Sequence, residues 1–178
     1  VNRYGESGIL VSGGFAIAPN SSVSQDSSGN IYTSDRNGNA IVINPDGTIA
    51  SHPSGEKHAE HGFYATDVNQ DGAIDFVFAD GNELVAYRSD MKEIFRKEFD
   101  EVITGRIIPG IFKDGRKVLL VQSETSNKLW MVYTDGSIVN GFPVKGKSPV
   151  LYSDPSGTGK KILVTGSTDP HIFVYSLN

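Results

Sequence analysis

The sequence predicts an all-β protein, a β-propeller of four four-stranded antiparallel blades. Three observations predict it: helical periodicity is almost absent, glycine and proline separate short β-branched and aromatic runs, and one unit recurs along the chain. Each copy of the unit contains an aromatic or aliphatic anchor that ends a strand and precedes a polar turn. The anchors are Ile43, Tyr87, Tyr133 and Tyr175, and they lie 44, 46 and 42 residues apart.

Each anchor strand is the second strand of a hairpin. A further strand precedes each hairpin and another follows the first three, which gives four strands in about 40–45 residues, the unit of a propeller blade. Blades must stack because one such sheet cannot bury both of its apolar faces. The predicted repeats span approximately 19–60, 61–103, 104–146 and 147–178.

The two ends of the repeat array are complementary. The fourth repeat lacks an outer strand, whereas segment 8–18 precedes the first repeat and resembles the outer strand of the third, since Gly14-Phe-Ala-Ile17 matches Gly141-Phe-Pro-Val144. We therefore expect 8–18 to be an outer strand that closes the ring. Two arrangements stay open: a four-bladed ring, or half of a larger ring whose other blades lie upstream or on a second copy, as a homodimer.

The repeat also decides two ambiguous segments. Met91, Ile94, Phe95 and Phe99 have helical spacing, but the register of the repeat predicts a turn followed by a strand over 93–99. The same register predicts one continuous outer strand over 138–144 in the third repeat.

Charge and composition exclude some functions. The formal net charge is −5, and binding to nucleic acid needs a basic surface, so we expect no nucleic-acid partner. The longest apolar runs have the length of a strand, far below the roughly 20 residues of a membrane helix, so we expect no membrane span. The chain contains no cysteine, which excludes disulfides and thiolate metal sites.

One loop in the second repeat alternates oxygen-bearing side chains with spacers. The segment Asp-Val-Asn-Gln-Asp-Gly-Ala-Ile-Asp at 67–75 carries such side chains at positions 1, 3, 5 and 9 and glycine at position 6. Calcium takes six to eight oxygen ligands, so this loop predicts a calcium site. The expected ligands are the side chains of Asp67, Asn69, Asp71 and Asp75 and the carbonyl of Ala73. The alternative is a plain acidic turn.

In its strand-loop-strand context the loop resembles the FG-GAP repeats of integrin-α-type β-propellers. The resemblance implies the same five ligands, and it implies the C-terminal part of a larger bacterial protein that is extracytoplasmic, in the periplasm or at the cell surface. The loops of the third and fourth repeats lack the full set of ligands, so we expect no metal there. The first repeat, from Asp26-Ser-Ser-Gly29 onwards, resembles PQQ-enzyme-type propellers without a cofactor-binding residue, so no organic cofactor is expected.

Other candidate sites are weaker. His58 and His61 could form a metal pair, but zinc needs three or four convergent ligands, so we expect a solvated connector between blades. No Gly-x-Ser-x-Gly motif is present. Trp130 is expected to pack between blades.

The sequence therefore favours a non-enzymatic module that binds a protein or a glycan, or acts as a scaffold, with one structural calcium loop. The alternatives are a propeller enzyme of the lyase or glycosidase type acting at the central channel, or a purely architectural domain. An enzyme needs convergent polar groups on the first strands of the blades. Those strands offer Ser24, Thr66, Ile108 and Tyr152, which is a poor catalytic set.

Overall fold

A computed structural model describes residues 14–112, 114–123, 125–155, 157, 160–167 and 170–177. Within this part the chain forms sixteen strands and no helix, and so no helix that could cross a membrane. The strands are β1 (Asn20–Ser21), β2 (Ser24–Gln25), β3 (Ile31–Ser34), β4 (Asn39–Ile43), β5 (Ile49–Pro53), β6 (Gly62–Thr66), β7 (Asp75–Asp80), β8 (Glu83–Tyr87), β9 (Glu93–Glu98), β10 (Thr104–Ile111), β11 (Lys117–Ser123), β12 (Lys128–Tyr133), β13 (Val144–Lys145), β14 (Lys147–Ser153), β15 (Lys161–Gly166) and β16 (Ile172–Leu177).

The strands form four sheets that follow one another along the chain. The first sheet has the order β2-β3-β4-β5, the second β1-β6-β7-β8-β9, the third β10-β11-β12-β13 and the fourth β14-β15-β16. All neighbouring strands are antiparallel except β1, which pairs in parallel with β6. This is the predicted fold class, a series of antiparallel blades, and we call the four sheets blades one to four.

Three apolar layers hold consecutive blades together. Phe63, Phe76 and Phe78 of blade two pack with Tyr32 and Ala40 of blade one. Between blades two and three the layer is larger and includes Trp130, whose ring makes an edge contact with Phe99 at 5.2 Å between centroids. Val118, Leu120, Met131 and Leu163 form the layer between blades three and four. Such burial is the main favourable term in folding, and it explains why the unit must repeat.

The ambiguous segment of the second repeat is a strand, as the repeat predicts. β9 pairs with β8 from Glu83↔Glu98 to Tyr87↔Glu93, and Phe95 is buried in the apolar layer between blades two and three. The turn before it places Met91 at a φ of 63°. Pairing with β8 therefore overrides the helical spacing of the apolar residues.

The predicted continuous outer strand over 138–144 is wrong. Ile138 forms only an isolated bridge with Val132, and pairing with β12 resumes at Val144↔Leu129. Between them the Phe142 N–H donates to the Val139 carbonyl, which closes a turn with Gly141 at a φ of 90°. Because left-handed backbone suits glycine, and because Pro143 has no N–H to donate, this stretch leaves the sheet edge.

The described part of segment 8–18 lies beside blade one. The Ala18 N–H donates to the Ser34 carbonyl, the Arg36 N–H donates to the Ala16 carbonyl, and Ile17 bridges Asp35. Residues 8–13 lie outside the described residues, so the pairing of this segment with the last blade stays a prediction. At the other end, Leu151, Ile172 and Val174 of blade four are exposed.

Candidate functional site

The loop at residues 67–75 connects β6 to β7, and its side chains turn inward onto its own backbone. Asp67 accepts hydrogen bonds from the N–H groups of Asp71 and Gly72, both at 3.2 Å. Asp71 accepts one from the Ala73 N–H at 2.9 Å and one from the Asn69 side chain at 2.9 Å. These bonds, led by that from Ala73, lower the pKa of Asp71. The loop is thus wound around its oxygen atoms.

Asp75 is the last residue of the loop and the first of β7, and unlike Asp67 and Asp71 it is buried. Its side chain is 1% exposed. Oδ2 accepts hydrogen bonds from the N–H groups of Val68 at 2.9 Å and Asn69 at 3.4 Å, whereas Oδ1 is buried and has no hydrogen-bond partner among the described residues. Burial raises the pKa of Asp75, and the nearby carboxylates of Asp71 and Asp67 add to this.

The donor set suits a hard cation. An unsatisfied buried carboxylate oxygen beside further carboxylate and amide oxygens is what a calcium site offers in the absence of the ion. In the described part of the chain, no three His, Cys, Asp or Glu side chains converge on one point. In this conformation the loop is therefore a hydrogen-bonded turn, and coordination would require its oxygens to leave the backbone N–H groups and converge on one point.

The corresponding loop of blade one needs no cation. The carboxylate of Asp26 accepts hydrogen bonds from the Tyr32 hydroxyl at 2.7 Å, from the Asn30 side chain and backbone, and from the Ser28 N–H. Both of its oxygens are satisfied. The bond from Tyr32, followed by that from Asn30, lowers the pKa of Asp26 to about 2.

In the corresponding loops of blades three and four, an aspartate pairs with a cationic side chain of the protein. Arg116 Nε lies 2.7 Å from Asp114, and Lys161 Nζ lies 4.0 Å from Asp154. Near the loop of blade two, the side chain of Lys117 instead donates to the Asp67 carbonyl at 2.5 Å. Asp75 has no carboxylate counterpart in the loops of blades three and four, where Val118 and Ile162 stand at its position, and its Oδ1 has no hydrogen-bond partner among the described residues.

The two histidines are not equivalent, and the prediction of a solvated connector is wrong for His61. His61 is 2% exposed, with Nδ1 2.7 Å from the His58 carbonyl and Nε2 2.9 Å from the Ser34 hydroxyl. The hydroxyl groups of Ser21 and Thr33 are also buried, and their oxygen atoms lie 3.0 Å apart. The signal in the sequence was the run of Thr and Ser at the buried end of β3. His58 is exposed and pairs with Asp80.

Among the polar residues of the first strands, Tyr152 has its hydroxyl bonded to the backbone, whereas the buried Ser24 hydroxyl has no hydrogen-bond partner among the described residues. Ser24, Thr66, Ile108 and Tyr152 lie on β2, β6, β10 and β14. The Tyr152 hydroxyl donates to the Ile111 carbonyl at 2.9 Å, and burial raises the pKa of Tyr152. A cleft of about 670 Å³, which the sequence did not predict, lies between blades three and four. Its lining includes Phe112, Tyr133, Phe142, Tyr175, Asp114, Arg116 and Lys161.

Comparison with known proteins gives matches at the level of structure. No protein-family model and no curated protein matches the sequence. A catalytically inactive virginiamycin B lyase from Staphylococcus aureus with quinupristin superposes with a TM-score of 0.58 and 14% identity, over 94% of this chain and 58% of the lyase. BBS1N in complex with ARL6DN gives a TM-score of 0.66 and 14% identity, over 93% of this chain and 52% of BBS1N.

These solved structures are β-propellers. The chain folds as a β-propeller. A streptogramin B lyase structure agrees, with a TM-score of 0.54 and 12% identity over 86% of this propeller chain and 53% of the lyase. At such identities the likeness shows the fold alone. The propeller chain spans little more than half the length of each neighbour.

Proposed function

We propose that this propeller chain is a binding and scaffolding module for a protein or a glycan, in which one calcium ion fixes the loop at residues 67–75. The observation that carries the calcium site is the buried Oδ1 of Asp75, which has no hydrogen-bond partner in the described residues. Leaving a buried polar atom unpaired costs about 1–3 kcal/mol, and more when the group is charged. A bound cation removes this cost.

Each residue of the loop has a place in this proposal. Asp67, Asp71 and Asp75 supply carboxylate oxygens, Asn69 supplies its amide oxygen, and Ala73 supplies its backbone carbonyl. Three carboxylates close together repel one another, and a divalent cation reverses the sign of that interaction. The resemblance to FG-GAP loops supports the same set. The ion would tie the end of β6 to the start of β7, which is a structural role.

A role in binding fits the inner strands better than catalysis does. Tyr152 uses its hydroxyl on a backbone carbonyl, and Ile108 offers no acid or base. Among the structural neighbours two are lyases and another is in complex with a protein partner, so both functions occur on related folds. Lyase-type or glycosidase-type activity at the central channel and a purely architectural role are the alternatives. Turnover of streptogramin B or of a glycan by the purified protein would contradict the proposal.

The exposed faces of the outermost blades support a larger ring. Leu151, Ile172 and Val174 are 57%, 72% and 64% exposed on blade four, and Ile49 on blade one is 39% exposed. We infer that further blades cover these faces, either upstream in a longer polypeptide or on a second copy. Size-exclusion chromatography with light scattering separates the two, because a monomer at every concentration excludes the second copy.

An extracytoplasmic location belongs to the same proposal. Calcium sites of modest affinity stay filled outside the cytoplasm, where calcium is abundant. Fractionation of cells that express the full-length protein tests this. Recovery in the cytoplasmic fraction would contradict it.

Isothermal calorimetry with Ca²⁺ on chelator-treated protein tests the metal site. We expect binding of one ion per chain, and loss of that heat in Asp75→Asn and Asp71→Asn. Asp46→Asn is the matched control, since Asp46 is an exposed turn residue whose carboxylate accepts hydrogen bonds from the backbone N–H and the hydroxyl of Thr48. Absence of heat with the wild-type protein would leave the acidic turn as the correct interpretation of the loop.

A further inference from the structure

The cleft between blades three and four exists because the outer strand of blade three is interrupted. The Val139 N–H still donates to the Met131 carbonyl of β12, but residues 140–143 leave β12 before pairing resumes at Val144, so the edge of the sheet is open where a continuous strand would lie. The resulting volume of about 670 Å³ lies within the range of roughly 300–1,000 Å³ typical of ligand sites.

Aromatic rings form the walls of this cleft. The rings of Phe112 and Tyr133 lie 6.0 Å apart between centroids with a tilt of 47°. Phe142 and Tyr175 line the same space. All four side chains are half-buried rather than fully packed, so part of each ring surface faces the cleft.

A fixed polar group lies beside these rings. The guanidinium of Arg116 lies 4.9 Å from the centroid of Tyr133 and 5.5 Å from that of Phe112. Its Nε bonds Asp114 at 2.7 Å, and its Nη1 donates to the Tyr133 hydroxyl at 2.9 Å. Arginine has five N–H donors, and these two bonds orient the group while using only two of them.

The charges around the cleft are balanced. Arg116 faces Asp114, and Lys161 lies 4.0 Å from Asp154 at its border. A strongly anionic ligand would have to compete with these carboxylates, and a cationic ligand with the arginine and the lysine. A neutral ligand with apolar faces and polar edges is complementary to the site.

We propose that this cleft binds a neutral glycan. The C–H face of a sugar ring packs on the aromatic surfaces, while its hydroxyl groups accept from Arg116 and donate to Asp114. The inference rests on the proposed binding function and assigns that function to one site and one class of ligand. It is independent of the calcium loop, which lies in another blade.

The test begins with an array of neutral and anionic oligosaccharides and tyrosine-rich peptides, followed by calorimetry of the full chain with the best neutral oligosaccharide. We expect saturable binding that falls at least tenfold in Arg116→Gln and in Phe112→Ala. Arg96→Gln is the matched control, because Arg96 also bonds acidic side chains and the anchor hydroxyl of its blade, Tyr87, but lies outside the cleft. It should bind as the wild type does.

Three results would overturn the proposal. One is no binding of any neutral glycan; another is equal affinity in Arg116→Gln and wild type; the third is binding confined to peptides or anionic glycans. In the third case the binding function of the module stands while the assignment of a neutral glycan as its ligand fails. Circular dichroism and thermal unfolding show whether each variant is folded, and Phe112→Leu replaces Phe112→Ala if the latter unfolds.

Discussion

The hydroxyl of Tyr32 donates a 2.7 Å hydrogen bond to Oδ2 of Asp26, and this bond ties the first loop of blade one to its second strand. It favours the ionised acid and the neutral phenol. It is the largest cause that lowers the pKa of Asp26 to about 2, whereas burial, followed by this bond, raises the pKa of Tyr32 to about 12. The stability of blade one should therefore depend on pH at both extremes.

We expect the Asp26–Tyr32 pair to lose its contribution to the free energy of unfolding in two windows of pH. The lowered pKa of Asp26 means that its share is present above about pH 4 and is lost as the pH falls to about 2. The raised pKa of Tyr32 means that its share is present below about pH 10 and is lost as the pH approaches about 12. Urea unfolding of wild type and Tyr32→Phe across both windows checks this. Equal pH slopes in the two proteins would contradict it.

Ser34→Ala should destabilise the fold. The Ser34 hydroxyl is the partner of His61 Nε2 in a region closed to water, so its removal leaves a buried ring nitrogen unpaired. The expected loss is about 1–3 kcal/mol in the free energy of unfolding. Ser51→Ala on the exposed side of blade one is the control and should lie within about 0.5 kcal/mol of wild type. Equal stability of the two variants would show that the His61 network is not structural.

Gly62→Ala should weaken the contact between blades two and three. A Cβ at this position would lie 2.6 Å from the Gly105 carbonyl oxygen and 3.3 Å from the Ala79 side chain, so the inner strands would have to separate. Overpacking of this kind costs about 1–3 kcal/mol. Gly14→Ala meets no atom within 4 Å and serves as the control. Denaturant unfolding measures both, and an unchanged midpoint in Gly62→Ala would mean that the strands are further apart than described.

Periodicity in the sequence was sufficient to predict most of the fold. The spacing of Ile43, Tyr87, Tyr133 and Tyr175 located the hairpins. The first three anchors end β4, β8 and β12, whereas Tyr175 lies two residues before the end of β16. The spacing also separated strand from helix at β9, and it placed Trp130 between blades, where it is 6% exposed. Fold class follows from repetition of a pattern that burial requires.

Features that depend on single contacts could not be predicted. The parallel pairing of β1 with β6 joins residues about 40 positions apart and has no local signature. The turn near Gly141 interrupts a strand that the repeat required, so the cleft it opens was missed. His61 looked like part of a polar connector because its partner, Ser34, is 27 residues away. The calcium ligands were proposed from spacing, whereas the unpaired Oδ1 of Asp75 appears only in the folded loop.

The proposed calcium site in the loop at residues 67–75 is tested most directly by thermal unfolding of wild type and Asp75→Asn, each with chelator and with Ca²⁺. At calcium about 100-fold above the dissociation constant, one site stabilises the wild type by about 2.7 kcal/mol, or roughly 5–10 °C for a domain of this size. We expect that shift in the wild type and none in Asp75→Asn. The same midpoint for the wild type with and without calcium, or an equal shift in the variant, would contradict the account.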